Sequence, residues 1–300
     1  MNQVGPGDET LLTVAEAARR LRMSPRTLYH LVSKARIPFL RAGGRLLFEP
    51  QRLEAWLSVS AGHTATVETT PVESIIAGSH DPLLEWAVRA SGADLALACH
   101  GSSDGLTRLA SRRACAALVH LPDSRSDGFN TEAIQRALGG LPVVSLHWAC
   151  REQGLIVAPG NPLRIKGPRD LASRRVRVIR RQPGAGSNLL FARLMREAGI
   201  PMERLRVIDA VAQNENEVAE AILDGHADTG LAIGLVAERY RLPFIRLASE
   251  AVELVAWRRS VFEPPLQALI RFAQSRKFQL HARRLAGYDL SGHGSVRYNG

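Results

Sequence analysis

Three hundred residues with 45% hydrophobic content are enough to bury two domains, and an aromatic share of only 5% makes that core aliphatic. A formal net charge of +10 points to an acidic partner, nucleic acid before an anionic membrane, although the basic residues are nearly all arginine and run along the whole chain. No apolar run is long enough to span a bilayer, which excludes a helical membrane protein. Met1 to Thr10 is polar and lacks a basic stretch followed by an apolar one, so a cytoplasmic location is expected. Cys99, Cys115 and Cys150 are odd in number and widely spaced in apolar contexts; they are expected to be buried free thiols in a reducing compartment. They and the nine histidines show no metal-ligand spacing.

In chain order, Thr13-Val14-Ala15-Glu16 is a capping box, followed by Val14, Ala17, Ala18 and Leu21 at helical spacing. This predicts a short helix ending near Arg22. Ser24-Pro25 supplies an N-cap and a first-turn proline for a second helix with Leu28, Leu31 and Val32 inside. From Ser24 to Arg45 there are five Lys/Arg residues and no Asp or Glu. Ile37 to Phe48 reads as two short strands around Gly43-Gly44, and Pro50 opens a last helix carrying Leu53, Trp56 and Leu57.

Residues 11–58, with Leu12-Thr13-Val14-Ala15-Glu16-Ala17-Ala18 and Ser24-Pro25-Arg26-Thr27-Leu28-Tyr29, resemble the excisionase/MerR-type winged helix-turn-helix. The resemblance implies that the second helix enters the major groove of double-stranded DNA. Arg26, Thr27 and His30 are then the base-edge candidates, and Tyr29, Lys34, Arg36, Arg41 and Arg45 the backbone contacts. The competing reading is a solvated basic face used for protein contacts. One module reads a short half-site, so a homodimer is expected.

Residues 59–71 lack periodicity and read as a linker. Strands and helices then alternate: a strand at Ser74–Gly78, a helix at Pro82–Ala90, a strand at Asp94–Cys99, a helix at Leu106–Arg113 and a strand at Cys115–Val119. A helix at Thr131–Leu138 precedes two strands, near Pro142–Leu146 and Gly154–Val157. A strand at Val176–Ile179 runs through Arg181-Gln182-Pro183-Gly184-Ala185-Gly186-Ser187-Asn188 into a helix at Leu189–Ala198, and Asn214 precedes one at Glu217–Leu223. Apolar strands joined through helices imply a parallel sheet covered on both faces. Turns that close a strand and open a helix at Ser79, Ser102, Gly184 and Asn214 are seats for an anion.

Gly78-Ser79-His80-Asp81, Gly101-Ser102-Ser103-Asp104-Gly105-Leu106, Arg151 to Pro162, Arg181 to Ser187, and Val218-Ala219 through Asp228-Thr229-Gly230 resemble, in that order, motifs of the periplasmic-binding-protein-like domain of molybdate/tungstate-binding proteins. The resemblance covers about residues 72–290. It implies an α/β fold of two lobes, the chain crossing twice between them, with lobe one at about 72–155 plus 250–290. Together with the first module it implies a ligand-responsive transcriptional regulator whose effector is molybdate, tungstate or a related oxyanion, with no other cofactor and no catalytic role. Ser79, Ser102, Ser103, Arg181, Gly186, Ser187 and, more weakly, Asn214 are the candidate ligand contacts. Two departures from the resemblance bear on the ligand: Asn188 where a basic residue is usual, and Glu215 where a histidine is common. Asp81 and Asp104 would repel an anion, so they are expected to turn back to their own helices. Two other readings remain open: a molybdenum-cofactor assembly or storage protein without DNA affinity, and a serine hydrolase using Ser103 of Gly101-x-Ser103-x-Gly105 with His281 or His293.

Overall fold

The computed structural model of the protein describes residues 11–34, 37–42, 44–50, 52–53, 56, 72–124 and 126–300. The chain divides into two compact units between Thr70 and Pro71. In the first, β1 (Leu12–Thr13) leads into α1 (Val14–Arg20), then α2 (Pro25–Ser33), β2 (Leu40–Ala42) and β3 (Arg45–Phe48). The capping box forms: Thr13 N–H donates to Glu16 Oε2 at 2.7 Å, and Glu16 N–H to Thr13 Oγ1 at 3.4 Å. Helix α1 stops at Arg20, before the expected end, because Arg22 adopts a left-handed φ of 51°. Ser24 Oγ caps α2 by accepting from Thr27 N–H at 3.1 Å.

Strand β3 pairs with β2 and also with β1, a two-residue strand too short to show alternation in the sequence. Ala17, Leu28, Val32, Ile37, Phe48 and Leu53 are buried together under partly buried Trp56. Leu57, Arg36, Gly43 and the linker expected over 59–71 lie outside the described residues.

The second unit is built on one ten-stranded sheet. In lobe one, β4 (Ile75–Gly78), β5 (Ala96–Ala98) and β6 (Ala116–Val119) are parallel, connected by α3 (Pro82–Ser91) and α4 (Ser102–Ala110). Helix α5 (Thr131–Leu138) leads to β7 (Val143–Val157). Lobe two has β8 (Arg177–Arg181), α6 (Gly186–Glu197), β9 (Arg206–Ala212), α7 (Glu215–Leu223), β10 (Thr229–Ile233) and α8 (Gly234–Tyr240). Strand β11 (Phe244–Trp257) returns to lobe one, which α9 (Pro264–Ala273), α10 (Arg276–Ala282), β12 (Tyr288–Asp289) and β13 (Val296–Asn299) complete.

The two crossings are β7 and β11, antiparallel from Val143 opposite Trp257 to Ile156 opposite Phe244. Strand alternation separates the cores. Leu118 and Leu254 turn to one face of lobe one, with α3, α9 and α10, while Val119 and Val255 turn to the other, with α4 and α5. Leu155 and Ile156 are divided likewise in lobe two.

The pair of strands expected near Pro142–Leu146 and Gly154–Val157 is one strand of 15 residues. The polar stretch that divides it in sequence, Arg151-Glu152-Gln153, lies where the lobes meet, with Arg151 and Gln153 buried. Arg151 stands opposite Glu250 of β11, and its Nε donates to Glu250 Oε1 at 2.9 Å. Both side chains are buried, at 1% and 0% exposure. Burial works to raise the Glu250 carboxyl, but the charges of His120 and Arg151 hold it at about 2.

Removing one partner of a buried ion pair leaves an uncompensated charge, so Arg151→Met or Glu250→Gln should each cost about 3–5 kcal/mol in urea unfolding, with the double substitution clearly less than additive. Because Glu250 is depressed in the folded state, its stabilisation is complete above the ordinary value of 4.5 and is lost as pH falls toward about 2. Stability measured across that window should decline in the wild type and flatten in Glu250→Gln.

Candidate ligand-binding cleft and nucleic-acid interface

Three parallel strands of lobe one end on residues that converge: Ser79 after β4, Ser102 after β5 and His120 after β6. This is the carboxyl end of an open α/β sheet, where such folds seat ligands. Helix α4 begins at Ser102, four residues earlier than the apolar periodicity predicts, so the serines form its first turn instead of a preceding loop. Ser102 Oγ accepts from His120 N–H at 3.2 Å and lies 2.6 Å from Ser79 Oγ. One hydroxyl proton joins the two serines and the other is left to donate elsewhere.

The central glycine turn comes from lobe two and meets these serines. Ser103 N–H donates to Gly184 O at 3.3 Å, and a Cβ on Gly101 would lie 3.2 Å from the same carbonyl. A Cβ on Gly186 would lie 2.4 Å from His120 O and 2.6 Å from its Nδ1, so the approach of the lobes requires glycine there. Helix α6 also starts earlier than predicted, at Gly186, and neither α4 nor α6 has a side-chain cap. Ser187 Oγ is buried without a hydrogen-bond partner among the described residues. With Arg180, Arg181, Asn188 and Phe191 it lines a cavity of ≈ 10 Å³, about the room for one water.

The other expected contacts are arranged differently. Asn214 caps α7, accepting from Glu217 N–H at 3.0 Å and donating to Glu217 Oε1 at 2.7 Å. Arg181 donates to Gln213 O at 2.9 Å and Ala212 O at 3.2 Å, with Glu215 Oε1 at 3.9 Å. Burial lowers its pKa and Glu215 works against that. Asn188 holds Arg180, accepting from Nε and Nη2 at 3.1 and 2.9 Å. Asp81 caps α3 through Leu84 N–H at 2.7 Å, and Asp104 pairs with Arg108 one turn along its own helix, so both carboxylates are engaged as expected.

Below the serines lies an ionic floor that residue types alone did not reveal. Arg151 bonds Asp81 at 2.9 Å as well as Glu250; Tyr288 donates to Asp81 at 2.7 Å; Gln153 bridges Glu250 and Glu215 at 3.1 and 3.0 Å; and His120 Nδ1 meets Glu250 Oε2 at 2.7 Å. Glu215 Oε2 also accepts from Ile233 N–H at 2.9 Å. Burial pulls the Arg151 pKa down, yet Glu250, Tyr288 and Asp81 leave it well above its ordinary value. Burial and Asp81 push Tyr288 well up. The available signal was charge inside apolar strands: Arg151 and Glu250 sit in runs that should be buried on both faces.

The glycines of Gly101-x-Ser103-x-Gly105 have packing roles, Gly101 against Gly184 and Gly105 with a built Cβ 2.6 Å from Gly78 Cα. The histidines considered with Ser103 are engaged elsewhere: His281 stacks on Trp86 at 3.6 Å and His293 Nδ1 lies 2.7 Å from Trp148 O. The three cysteines are free; Cys115 is buried, whereas Cys99 and Cys150 are only partly so. Among the described residues no His/Cys/Asp/Glu group is suited to a metal, and no helix is long and apolar enough to cross a membrane.

In the first unit, Arg26, Thr27, Tyr29, His30 and Lys34 are exposed on α2 and just beyond it, and Arg41 and Arg45 are exposed on the hairpin. Leu28 and Val32 hold the opposite face of α2 in the core. The basic face is thus separate from the packing face, as a groove-reading helix requires.

A helix-turn-helix domain model matches residues 11–58, and a PBP superfamily domain model matches residues 84–274. The uncharacterized protein YvgK of Bacillus subtilis (strain 168) is 24% identical over 302 aligned residues, covering 95% of this chain and 96% of that protein. A structure from Clostridium perfringens, assigned as a phosphate ABC transporter substrate-binding protein with bound phosphate, is 14% identical, covers 70% of this chain and 96% of its own, and has a TM-score of 0.50. The regulatory domain of MetR, a LysR-family regulator from N. meningitidis, is 12% identical, covers 72% and 96%, and has a TM-score of 0.49. The chain belongs to the PBP superfamily, with a helix-turn-helix domain ahead of its PBP-like domain.

Proposed function

We propose that this protein is a cytoplasmic transcriptional regulator that binds double-stranded DNA as a homodimer and takes a tetrahedral oxyanion, with molybdate and tungstate foremost, between its lobes. The observation that carries the ligand class is the set of unclaimed donors where the lobes meet. Among the described residues Ser187 Oγ has no partner, the Ser79–Ser102 pair has one proton to give, and α4 and α6 begin without side-chain caps. Such a set offers donors to an acceptor-only ligand, and the helix dipoles favour negative charge. Ser103 and Gly186 bring further backbone to the same place; Arg181 contributes charge balanced by Glu215. The C. perfringens structure, which holds phosphate, adds phosphate to the ligands worth testing.

The ligand enters as the lobes part and is enclosed as they return. Coupling of that motion to the spacing of two DNA-binding modules is of order 1–3 kcal/mol. The role is binding without catalysis, since both glycines around Ser103 are accounted for by packing. A cofactor-assembly role would leave the exposed cations of α2 without use.

Titration calorimetry with molybdate, tungstate, sulfate and phosphate tests the ligand class, and no heat from any of them would remove it. Ser187→Ala should weaken the best ligand by roughly 10- to 100-fold, the value of a hydrogen bond to a charged group. Arg26→Ala should cost about 1–3 kcal/mol in binding to the operator, measured by fluorescence anisotropy, and leave ligand affinity unchanged. Loss of both activities together would contradict separate roles for the two units.

A further inference from the structure

Residues 71–300 hold 30 Lys and Arg against 23 Asp and Glu, so most of the chain's charge of +10 lies outside the helix-turn-helix domain. Part of that excess is concentrated in the connection from β7 to β8. Between Gly160 and Val176 stand Arg164, Lys166, Arg169, Arg174 and Arg175 against a single acid, Asp170. All five cations are exposed, and none of them is in an ion pair among the described residues. Arg177, which follows, is paired with Asp228 at 2.7 Å and does not belong with them.

Short-range bonds brace this segment. Asn161 Oδ1 accepts from Ile165 N–H at 2.9 Å, and Asn161 Nδ2 donates to Ile165 O at 2.8 Å. Asp170 Oδ2 accepts from the N–H groups of Lys166 and Gly167 at 2.7 and 3.2 Å. Pro168–Ala172 forms a 3-10 helix, and Ile165, Leu171 and Val176 are buried in the core of lobe two. The cations thus stand on a segment whose backbone is ordered before any partner arrives, which lowers the entropy lost on binding. Arg164 has a φ of 52°, in the left-handed region that glycine enters without strain. An arginine is present there at a conformational cost that a purely connecting residue would avoid.

The segment enters β8 at its amino end, whereas the turn that serves the cleft leaves β8 at its carboxyl end, after Arg181. Its partner is therefore an anion other than the one held between the lobes. Four of the five cations are guanidiniums, whose forked donors fit phosphate oxygens in pairs. Duplex DNA presents phosphates as a regular array, and this chain carries a helix-turn-helix domain. Resting on the DNA-binding reading, we propose that residues 161–175 of lobe two are a second DNA contact, which grips the phosphate backbone without reading sequence and adds to the affinity supplied by α2.

The test is fluorescence anisotropy of the full chain on a duplex of arbitrary sequence and about 40 base pairs, in NaCl from about 50 to 200 mM. Each phosphate contact contributes about 0.9 to the slope of log affinity against log salt, so the triple variant Arg164→Gln, Arg169→Gln, Arg174→Gln should flatten that slope by about 2 to 3 and weaken binding about 10- to 100-fold near 100 mM. Lysine at the same three positions should keep most of the wild-type slope, because the charge is retained. An unchanged slope in the glutamine variant overturns the inference and leaves DNA binding by α2 standing. Equal flattening in the lysine variant also overturns it, since loss of structure would then be the cause. Failure of the wild-type chain to bind the duplex at about 50 mM salt overturns the DNA-binding reading as a whole. Binding to phosphatidylserine vesicles that the glutamine variant loses, with its duplex slope unchanged, would assign the segment to a membrane surface and overturn the proposal.

Discussion

Arg151 and Glu250 face each other across β7 and β11, the described strands that join the lobes, and both side chains are buried. Two buried charges are costly unless each is met by opposite charge and further hydrogen bonds. Here every oxygen of Glu250 and Asp81 has a partner, and the partners come from β7, α3, β12 and His120 just after β6. That requirement ties distant parts of the chain to one point. It fixes where β7 crosses β11, brings Tyr288 from near the end of the chain back to Asp81, and sets His120 beside the serine pair.

Around this point the fold needs small residues as much as charged ones. Gly186 admits the His120 carbonyl, Gly101 admits the Gly184 carbonyl, and Gly154 lies where a Cβ would be 2.2 Å from Ile245 O on the neighbouring crossing strand. Backbone approaches this close bring helix beginnings of opposite lobes together without intervening side chains. What remains exposed to a guest is a set of N–H and O–H groups over a saturated ionic floor. His120 links the surfaces where the lobes meet to this network, its ring lying against Gly186 of lobe two and its Nδ1 against Glu250.

Much of the fold was legible in the residue pattern. The capping box at Thr13–Glu16, the Ser24-Pro25 cap, the hairpin and the strand–helix alternation from Ile75 onward all rest on interactions within a few residues, and all form. Helix beginnings were misplaced wherever a glycine or serine turn preceded the apolar repeat, as at Ser102 and Gly186. There the first turn carries polar residues for the cleft and gives no hydrophobic period to read. The single long β7 was read as two strands for the same reason: its middle is polar because it carries the buried network of Arg151 and Gln153.

By itself, then, the sequence determined the local elements, the two-part organisation and the clustering of cations on one helix and one hairpin, since these follow from period, cap and turn chemistry. Tertiary structure alone decided that Arg151, Glu250, Asp81, His120 and Tyr288 share one buried network, that Asn214 serves its own helix, and that the turns at Ser102 and Gly184 meet. Those contacts join residues up to 207 positions apart, as with Tyr288 and Asp81. No local period or propensity encodes such a pairing; it arises only when two strands cross and must neutralise the charges they bury.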